Sequence, residues 1–581
     1  MSIVTNPEYN KVMNYVSRIH KEPILFTPND ISLNFLMSKT FKHDSNYNVI
    51  DSTNYAKFIS EITAGNTRRL TSIAIDPSSQ MKWIDPITKY AVSLTCPFPY
   101  TLPFTPFPEV GSREGFCDLF EVYFMSWLRD LPFYEYTNPS NFLASYVTKV
   151  LNYLNQMMPN NNNFSHPLPA TAANLFRGKT KGDLLGPYVS QFLIHKPRFN
   201  YHTAFTASLP QFKAAIPADN EVLEHYMYNN APLTATNLDT SGSNLGRSDF
   251  GMTEAEFINI QNGFIKGGVT LPAGYKPFTV NRCVMTGRDL ATIVHADYPS
   301  ELLTRAVEIL LTNGAPLSKN NPYVKKILGS GYGSFVQFSG VEVHNLMGEV
   351  TRESLKAVWY FKYHNMRMRP EEFAGKIHFQ KKNSTNVIPN LSQDYITNIL
   401  NDHKAFNEIQ GVTNSYLLGL IYPEGAPIHP SYPAGHAIIA AACVSVMKAL
   451  FDEDYLFKNL RNGTMKIYEA YNDDYIKTIG STKRICLSTT PSLLREITSG
   501  VEYVTIGNEL DKLATNIASG RNFAGIHYRS DSEQSFDLGE KVAANFLRTK
   551  LREFGNKDIT LSFTNRNGDK VQITQDNINL I

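Results

Sequence analysis

The stretch HPSYPAGHAIIAAACVSVMKAL at residues 429–450 decides the fold of this chain. After its first eight residues it has almost no polar side chains, which predicts a helix that is buried on all sides. Pro433 and Gly435 are poor residues for a helix interior, so we expect the helix to begin near Gly435. A buried helix does not require a histidine in its first turn, yet His436 lies there. This helix N-terminus is therefore a candidate ligand site.

The ligand type favoured by this helix start is an anion. A helix N-terminus presents free N–H groups and the positive end of the helix dipole. Gly435 allows the backbone to approach an anion closely, and His436 can exchange a proton with it. A capped core helix with a hydrogen-bonded histidine is the alternative, and this stretch alone does not decide between the two.

Composition limits the class of protein. The chain has 581 residues, which suits two or more packed subdomains. Hydrophobic residues make up 42% and charged residues 19%, as in a globular protein. The net charge of +2 argues against nucleic acid as a partner. The five cysteines form no CxxC pair, so neither a disulfide framework nor a cysteine zinc site is indicated.

The chain start shows neither a continuous apolar segment nor a small-residue cleavage site, so we predict no signal peptide. The longest apolar run, at 437–447, is shorter than the ~20 residues that span a bilayer. We therefore predict no membrane insertion and a cytoplasmic or otherwise soluble location.

The periodicity of the sequence predicts a mainly α protein, built of helical bundles with minor β-hairpins. Helical patterns cover residues 297–314, 351–368, 507–520 and 530–554. At the end of the chain, two apolar runs flank Asn567-Gly568, which predicts a hairpin.

We predict two regions. Residues 1–275 form an N-terminal helical region, and residues 276–581 form a C-terminal helical domain that carries the site and the terminal hairpin. The boundary is placed in the Gly/Pro-rich stretch 266–278, and the Asn-rich stretch 157–171 is predicted to be a surface loop.

Two further groups of residues carry the chemistry of an anion site. Lys362 and Arg369 are seven residues apart, so one helix could present both on one face, with Trp359 beside them. The alternative is a solvated basic helix edge. In GRNFAGIHYRSD, Arg521 offers a planar fork for oxyanion oxygens.

In the same stretch, His527 and Asp531 are four residues apart and can pair if the segment is helical. The alternative here is a surface salt-bridge cluster. Three cations, two histidines, a helix-start amide and a carboxylate together suit a tetrahedral oxyanion such as phosphate or vanadate.

Three motifs in chain order carry a family resemblance: K-x(6)-R-P from Lys362, P-x-G-H from Pro433, and R-x(3)-G-x-H-x(3)-D from Arg521. They resemble the signature of the vanadium-dependent haloperoxidases and the related type 2 phosphatidic acid phosphatases. FRGKTKGDLLGPYVSQFL at 176–193 resembles a segment of the algal and bacterial haloperoxidases and not of the small phosphatases. The chain is thus most similar to the algal bromoperoxidases.

The resemblance implies vanadate as the cofactor. It implies that His527 is the axial ligand of the metal and that Asp531 holds His527. It further implies that the equatorial oxygens are bound by three cationic side chains and one backbone N–H, those of Lys362, Arg369, Arg521 and Gly435. Lys362 would also be catalytic, as the positive charge that polarises the bound peroxide.

His436 is implied to be the acid–base group near the apical oxygen. His429 stands where algal bromoperoxidases have histidine and fungal chloroperoxidases have phenylalanine, so a titratable group near neutral pH is expected beside the halide. Trp359 and His429 would line the halide pocket, and Trp359 alone does not decide the halide.

Two positions depart from the family pattern. Ala434 stands where the family has a serine that hydrogen-bonds the oxyanion, and losing that bond costs ~1 kcal/mol. Gly520 stands where serine is common, with no consequence expected from the sequence.

The resemblance implies a haloperoxidase that oxidises bromide or iodide with hydrogen peroxide and halogenates small organic acceptors. An acid phosphatase with a histidine nucleophile and an inactive oxyanion-binding homologue are the alternatives. By resemblance alone, the protein is a homo-oligomer, up to the dodecamer of red algal relatives, and can carry structural calcium.

Overall fold

The computed structural model of the protein describes the following residues: 36–64, 75–91, 99–110, 112–129, 131–137, 141–157, 169–195, 249–264, 286–295, 297–325, 331–383, 415–468, 476–479, 482–485, 494–581 and the single residues 70, 73, 93, 96 and 284. The predicted domain boundary at 266–278 and most of the predicted loop at 157–171 lie outside the described residues. The division at residue 276 therefore stays a prediction.

The described part of the chain is mainly helical, as predicted. Its helices are α1 Ser52–Ala64, α2 Arg113–Leu128, α3 Phe133–Thr137, α4 Asn141–Met157, α5 Lys181–Leu184, α6 Glu254–Gln261, α7 Gly287–Ile293, α8 Glu301–Thr312, α9 Gly340–Asn365, α10 Pro370–Asn383, α11 Gly435–Leu450, α12 Ile506–Phe523 and α13 Arg529–Phe554. Its strands are β1 Lys466–Tyr468, β2 Ile476–Ile479, β3 Thr482–Ile485, β4 Leu494–Glu496, β5 Leu561–Thr564, β6 Lys570–Ile573 and β7 Ile578–Leu580.

Helix α11 is the centre of the bundle and confirms the prediction from residues 429–450. It begins at Gly435, and every residue from Ala437 to Leu450 is buried. Helices α9, α12 and α13 pack around it. Gly539 allows α13 to pack closely on α11. A Cβ at this position would lie 2.6 Å from the carbonyl oxygen of Ile438, which is too close for a side chain. The helix with the apolar run is therefore surrounded by others, and its N-terminus is the end left for a ligand.

The helix boundaries differ most from the sequence prediction at the start of α9. Helix α9 was predicted to begin near Thr351, but it begins at Gly340. The hydroxyl of Ser339 accepts hydrogen bonds from the N–H groups of Val341 and Glu342 and so caps the helix eleven residues earlier. Helices α8, α12 and α13 confirm their predictions, and Gly314 beyond α8 has a left-handed φ of 72°.

The terminal hairpin is confirmed, but it is part of a larger sheet. Strands β5 and β6 pair antiparallel, and their connection contains Gly568 at φ 90°. Strand β7 adds to β6, and two further antiparallel pairs, β1–β4 and β2–β3, lie between α11 and α12 in the sequence. Strands of three or four residues are too short to give a readable alternation, so the sequence analysis missed them.

The N-terminal half packs directly against the C-terminal bundle. One hydrophobic core contains Phe116 and Leu193 from the first half and Leu290, Ile439 and Phe546 from the second. None of the described helices is long and apolar enough to cross a membrane.

Candidate anion-binding site

The three groups of residues singled out in the sequence converge at the N-terminus of α11. Each comes from the end of a helix or from the turn beside it: Lys362 from the last turn of α9, Arg369 from the residue before α10, Gly435 and His436 from the first turn of α11, Arg521 from the last turn of α12, His527 from the turn before α13 and Asp531 from the first turn of α13. Helix ends thus bring the charged groups together around one point.

Lys362 and Arg369 do not lie on one helix face, so this prediction was wrong. Helix α9 ends at Asn365, and Met366 takes a left-handed φ of 50°. The cause is Pro370, which disfavours helical geometry in the residue before it, here Arg369. The two cations therefore reach the site across a turn.

Lys362 is fully buried, and it forms no ion pair with a carboxylate of the described residues. Its ammonium donates to the carbonyl oxygens of Pro430 at 2.7 Å and Ser431 at 3.0 Å. Burial and the charge of Arg369 lower the pKa of Lys362 well below its usual value. Two of its three protons hold the loop before α11, and one remains for a ligand.

Arg369 is fully buried and holds two histidines. Its guanidinium donates to the carbonyl oxygen of His429 at 2.8 Å and to that of Ile526 at 2.9 Å. Nη2 lies 3.0 Å from Nδ1 of His429, and Nη1 lies 2.9 Å from Nε2 of His527. Burial lowers the pKa of Arg369 to about 10, although Asp531 opposes this shift.

His527 pairs with Asp531, as predicted, but it does so from the turn preceding α13. Nδ1 of His527 lies 2.9 Å from Oδ2 of Asp531. The carboxylate accepts a hydrogen bond from Nδ1–H, so Nε2 carries the lone pair and accepts a hydrogen bond from Arg369. Burial and the charge of Arg369 lower the pKa of His527 well below its usual value. The ring is a neutral imidazole with its lone pair in the site, as a metal ligand or a nucleophile requires.

Asp531 is held by a residue that the sequence analysis missed. Arg367 donates to Oδ1 of Asp531 at 2.6 Å and lies 3.0 Å from Oδ2 of Asp118. Burial disfavours the charged form of Asp531, but Arg367 and the hydrogen bond with His527 lower its pKa below the usual value. The sequence feature that could have indicated Arg367 is its position, as a third basic residue between Lys362 and Arg369.

His436 has a carboxylate partner that was also missed. Nε2 of His436 lies 2.9 Å from Oδ1 of Asp297, in the segment between α7 and α8. Burial opposes ionisation of Asp297, but the charge and hydrogen bond of His436 lower its pKa. No motif indicates this contact, because 139 residues separate the partners.

Arg521 completes the cluster from α12. Its Nη1 donates to the carbonyl oxygen of Val294 at 2.5 Å and lies 3.3 Å from the hydroxyl of Tyr422. Its Nε is buried and has no hydrogen-bond partner among the described residues.

His429 and Trp359 lie side by side, with ring centroids 5.0 Å apart. Because Arg369 donates to Nδ1, His429 is an acceptor there and is neutral. Burial and the charges of Lys362 and Arg369 lower its pKa well below 6.5. The expectation that His429 titrates near neutral pH is therefore wrong for this arrangement.

The two departures from the family pattern have different surroundings. Ala434 is the buried N-cap residue of α11, and its side chain makes no capping hydrogen bond. Gly520 lies where α12 crosses α7, and a Cβ there would be 2.7 Å from the carbonyl oxygen of Leu290. The expectation that Gly520 has no consequence was wrong, because close helix packing requires the absence of a side chain.

The arrangement fits a tetrahedral oxyanion. Asp531 pairs with Arg367 and Asp297 pairs with His436. Within the described part of the chain, Lys362, Arg369 and Arg521 therefore form no ion pair, and their positive charge has no neutralising anion. The unpartnered Nε of Arg521 and the first N–H groups of α11 add hydrogen-bond donors. Together with the lone pair of His527, this donor set suits vanadate or phosphate.

Comparisons with known proteins agree with this assignment. A family model described as the second helical-bundle domain of VCPO matches residues 345–555. The vanadium-dependent bromoperoxidase of Corallina pilulifera is 28% identical over 576 residues, which cover 91% of this chain and 89% of its own. That of Ascophyllum nodosum is 28% identical, covering 86% and 79%.

A solved structure shows the same fold. The homohexameric second vanadate-dependent bromoperoxidase of Ascophyllum nodosum matches with a TM-score of 0.70 and 19% identity, covering 99% of this chain and 91% of that one. The predicted relationship to the vanadium haloperoxidases is thus confirmed, and the relatives support haloperoxidase activity in general.

Proposed function

We propose that the protein is a vanadate-dependent haloperoxidase that oxidises bromide and iodide with hydrogen peroxide to hypohalous acid, which halogenates small organic acceptors. The observation that carries the proposal is the group of three buried cations around the lone pair of a neutral His527. Burying uncompensated charge is unfavourable, so this cluster requires an anion.

The geometry supports the following binding roles. Nε2 of His527 would ligate the metal, and Asp531 keeps the proton on Nδ1 so that the lone pair faces the site. The cations Lys362, Arg369 and Arg521 would hold the oxygens of the vanadate, together with the N–H of Gly435. Bound vanadate would supply a Lewis acid that activates peroxide without a change of oxidation state.

The chain's own residues would handle charge and protons. Lys362, held by two carbonyl groups, would present a positive charge to the oxygens of the anion. His436 would take up and release protons beside the bound anion. Its contact with Asp297 orients the ring.

For the halide, we expect bromide and iodide to be oxidised readily and chloride poorly. His429 places a polar ring beside Trp359, whereas the chloroperoxidase pattern has an apolar ring there. Steady-state halogenation of a phenol with each halide, in wild type and His429→Phe, tests this. A chloride rate comparable to the bromide rate in the wild type contradicts the halide order, and an unaltered preference in the variant removes the role of His429.

For assembly, we infer a homo-oligomer, supported by the homohexameric relative with the same fold. A dodecamer, structural calcium and a cytoplasmic location remain predictions. Sedimentation of the purified protein, with and without chelator, would test the first two.

The activity itself is tested against its two alternatives. Protein stripped of metal at low pH is assayed with and without orthovanadate, for bromide oxidation with peroxide and for hydrolysis of a phosphate ester. We expect vanadate-dependent bromide oxidation and inhibition of the site by phosphate. Ester hydrolysis without bromide oxidation would indicate the phosphatase, and neither activity would indicate the inactive homologue.

A further inference from the structure

We propose that Arg367 is a positioning residue of the site, and that Asp118 from the N-terminal half holds it in place. This inference rests on the proposed function, because its purpose is to present Nε2 of His527 to the metal. It also gives the N-terminal half a role in the site.

The two oxygens of Asp531 have separate partners. Oδ1 accepts from Nη1 of Arg367 at 2.6 Å. Oδ2 accepts from Nδ1 of His527 at 2.9 Å, from the backbone N–H of Tyr528 at 3.0 Å and from the hydroxyl of Ser431 at 2.5 Å. Arg367 thus occupies one oxygen and leaves the other directed at the histidine.

Arg367 is itself held on three sides. Its Nη2 lies 3.0 Å from Oδ2 of Asp118, a residue of α2. Its guanidinium lies over the ring of Tyr528, 3.8 Å from the centroid. Its carbonyl oxygen accepts from the N–H of Ser431. Arg367 and Asp118 are 2% and 1% exposed, so water does not replace these contacts.

The charged groups in this series of contacts alternate in sign. A lone Asp531 carboxylate directly behind His527 would repel an incoming oxyanion, and Arg367 neutralises it. Asp118 in turn accepts a hydrogen bond from the second nitrogen of the guanidinium, so Arg367 bridges two carboxylates with one nitrogen on each. The series Asp118, Arg367, Asp531, His527 therefore fixes the histidine, and the positive charge of Arg367 offsets the negative charge of Asp531, the carboxylate nearer the anion site.

The test uses Asp118→Asn with Glu121→Gln as the matched control. Both substitutions replace a buried carboxylate of α2 by an amide of the same shape. Glu121 pairs with Arg529, at 2.7 Å from its Nε, and not with Arg367. A general loss of packing would affect both variants alike.

The readout compares two anions on metal-free protein by calorimetry. Orthovanadate would bind through the cations and Nε2 of His527, whereas inorganic phosphate would bind through the cations alone. We expect Asp118→Asn to weaken vanadate about tenfold, as losing partners of metal ligands does, and to leave phosphate unchanged. Equal weakening of both anions, or equal effects in the control, would overturn the positioning role.

A second measurement separates this inference from the proposed function. Nitrogen NMR of the histidines should show Nδ1–H on His527 in wild type and in Glu121→Gln, and a mixture of tautomers in Asp118→Asn. Arg367→Lys, which keeps the charge but cannot bridge both carboxylates, should give the same mixture. A wild type without preference for vanadate contradicts the proposed function, whereas an unchanged tautomer in both variants contradicts the inference.

Discussion

Nη1 of Arg369 lies 2.9 Å from Nε2 of His527, so a cation donates to the lone pair that we assign to the metal. A metal and a guanidinium N–H cannot share one lone pair. Binding of vanadate at His527 therefore requires Arg369 to turn this donor toward an oxygen of the anion. The same contact keeps the buried imidazole neutral when no anion is bound.

Substitution of the two histidines should separate binding from turnover. His527→Ala removes the proposed ligand, so we expect loss of both vanadate binding and bromide oxidation. His436→Ala removes a proton carrier paired with Asp297, so turnover should fall about 10²-fold or more while vanadate remains bound. Equilibrium dialysis and steady-state rates measure the two effects. If His436→Ala released vanadium while His527→Ala retained it, the assignment of His527 as the ligand and His436 as the proton carrier would be contradicted.

Ala434→Ser should tighten vanadate. The residue is the buried N-cap of α11 and lacks a side-chain hydrogen bond, so a hydroxyl there adds a donor beside the anion. The expected gain is up to about tenfold in dissociation constant, equal to ~1.4 kcal/mol. An unchanged or weaker constant in a vanadate titration would show that another group already fills this role.

The residues singled out in the sequence converge in space, but their geometry was only partly predicted. The start of α11 was predicted from Gly435 and the apolar run, because a glycine directly before a fully apolar segment leaves few other positions where the helix could begin. Arg367 and Asp297 were missed, since they lie 139 to 249 residues from their partners in the sequence and the contacts depend on how helix ends pack. The turn between Lys362 and Arg369 was readable from Pro370, but their spacing was interpreted as a continuous helix.

Gly520→Ala should destabilise the protein. The new Cβ would lie 2.7 Å from the carbonyl oxygen of Leu290, and overpacking of this kind costs about 1–3 kcal/mol. Gly348→Ala is the matched control, because that glycine of α9 has no atom within 4 Å of the added Cβ and alanine favours the helix. Chemical unfolding measures both; equal effects would contradict the close packing of α7 on α12.

Glu540 should make stability depend on pH. Burial raises its pKa to about 7 from 4.5 in the unfolded chain. Between these values the folded protein binds more protons than the unfolded chain, so stability falls as pH rises. Glu540→Gln should remove this loss. The free energy of unfolding of the variant, relative to that of wild type, should therefore be about 1–3 kcal/mol higher at pH 8 than at pH 5. Glu553→Gln, on the exposed side of the same helix, is the control; the same pH dependence in wild type and Glu540→Gln would contradict the shift.

The central claim is that vanadate bound at His527 is the cofactor of halide oxidation. Metal-free protein is titrated with orthovanadate at saturating peroxide and bromide, and the halogenation rate is followed at each addition. We predict that the rate starts near zero, rises in proportion to vanadate and reaches a plateau at one vanadate per chain. A full rate without vanadate, or no rate at any vanadate concentration, would contradict the account.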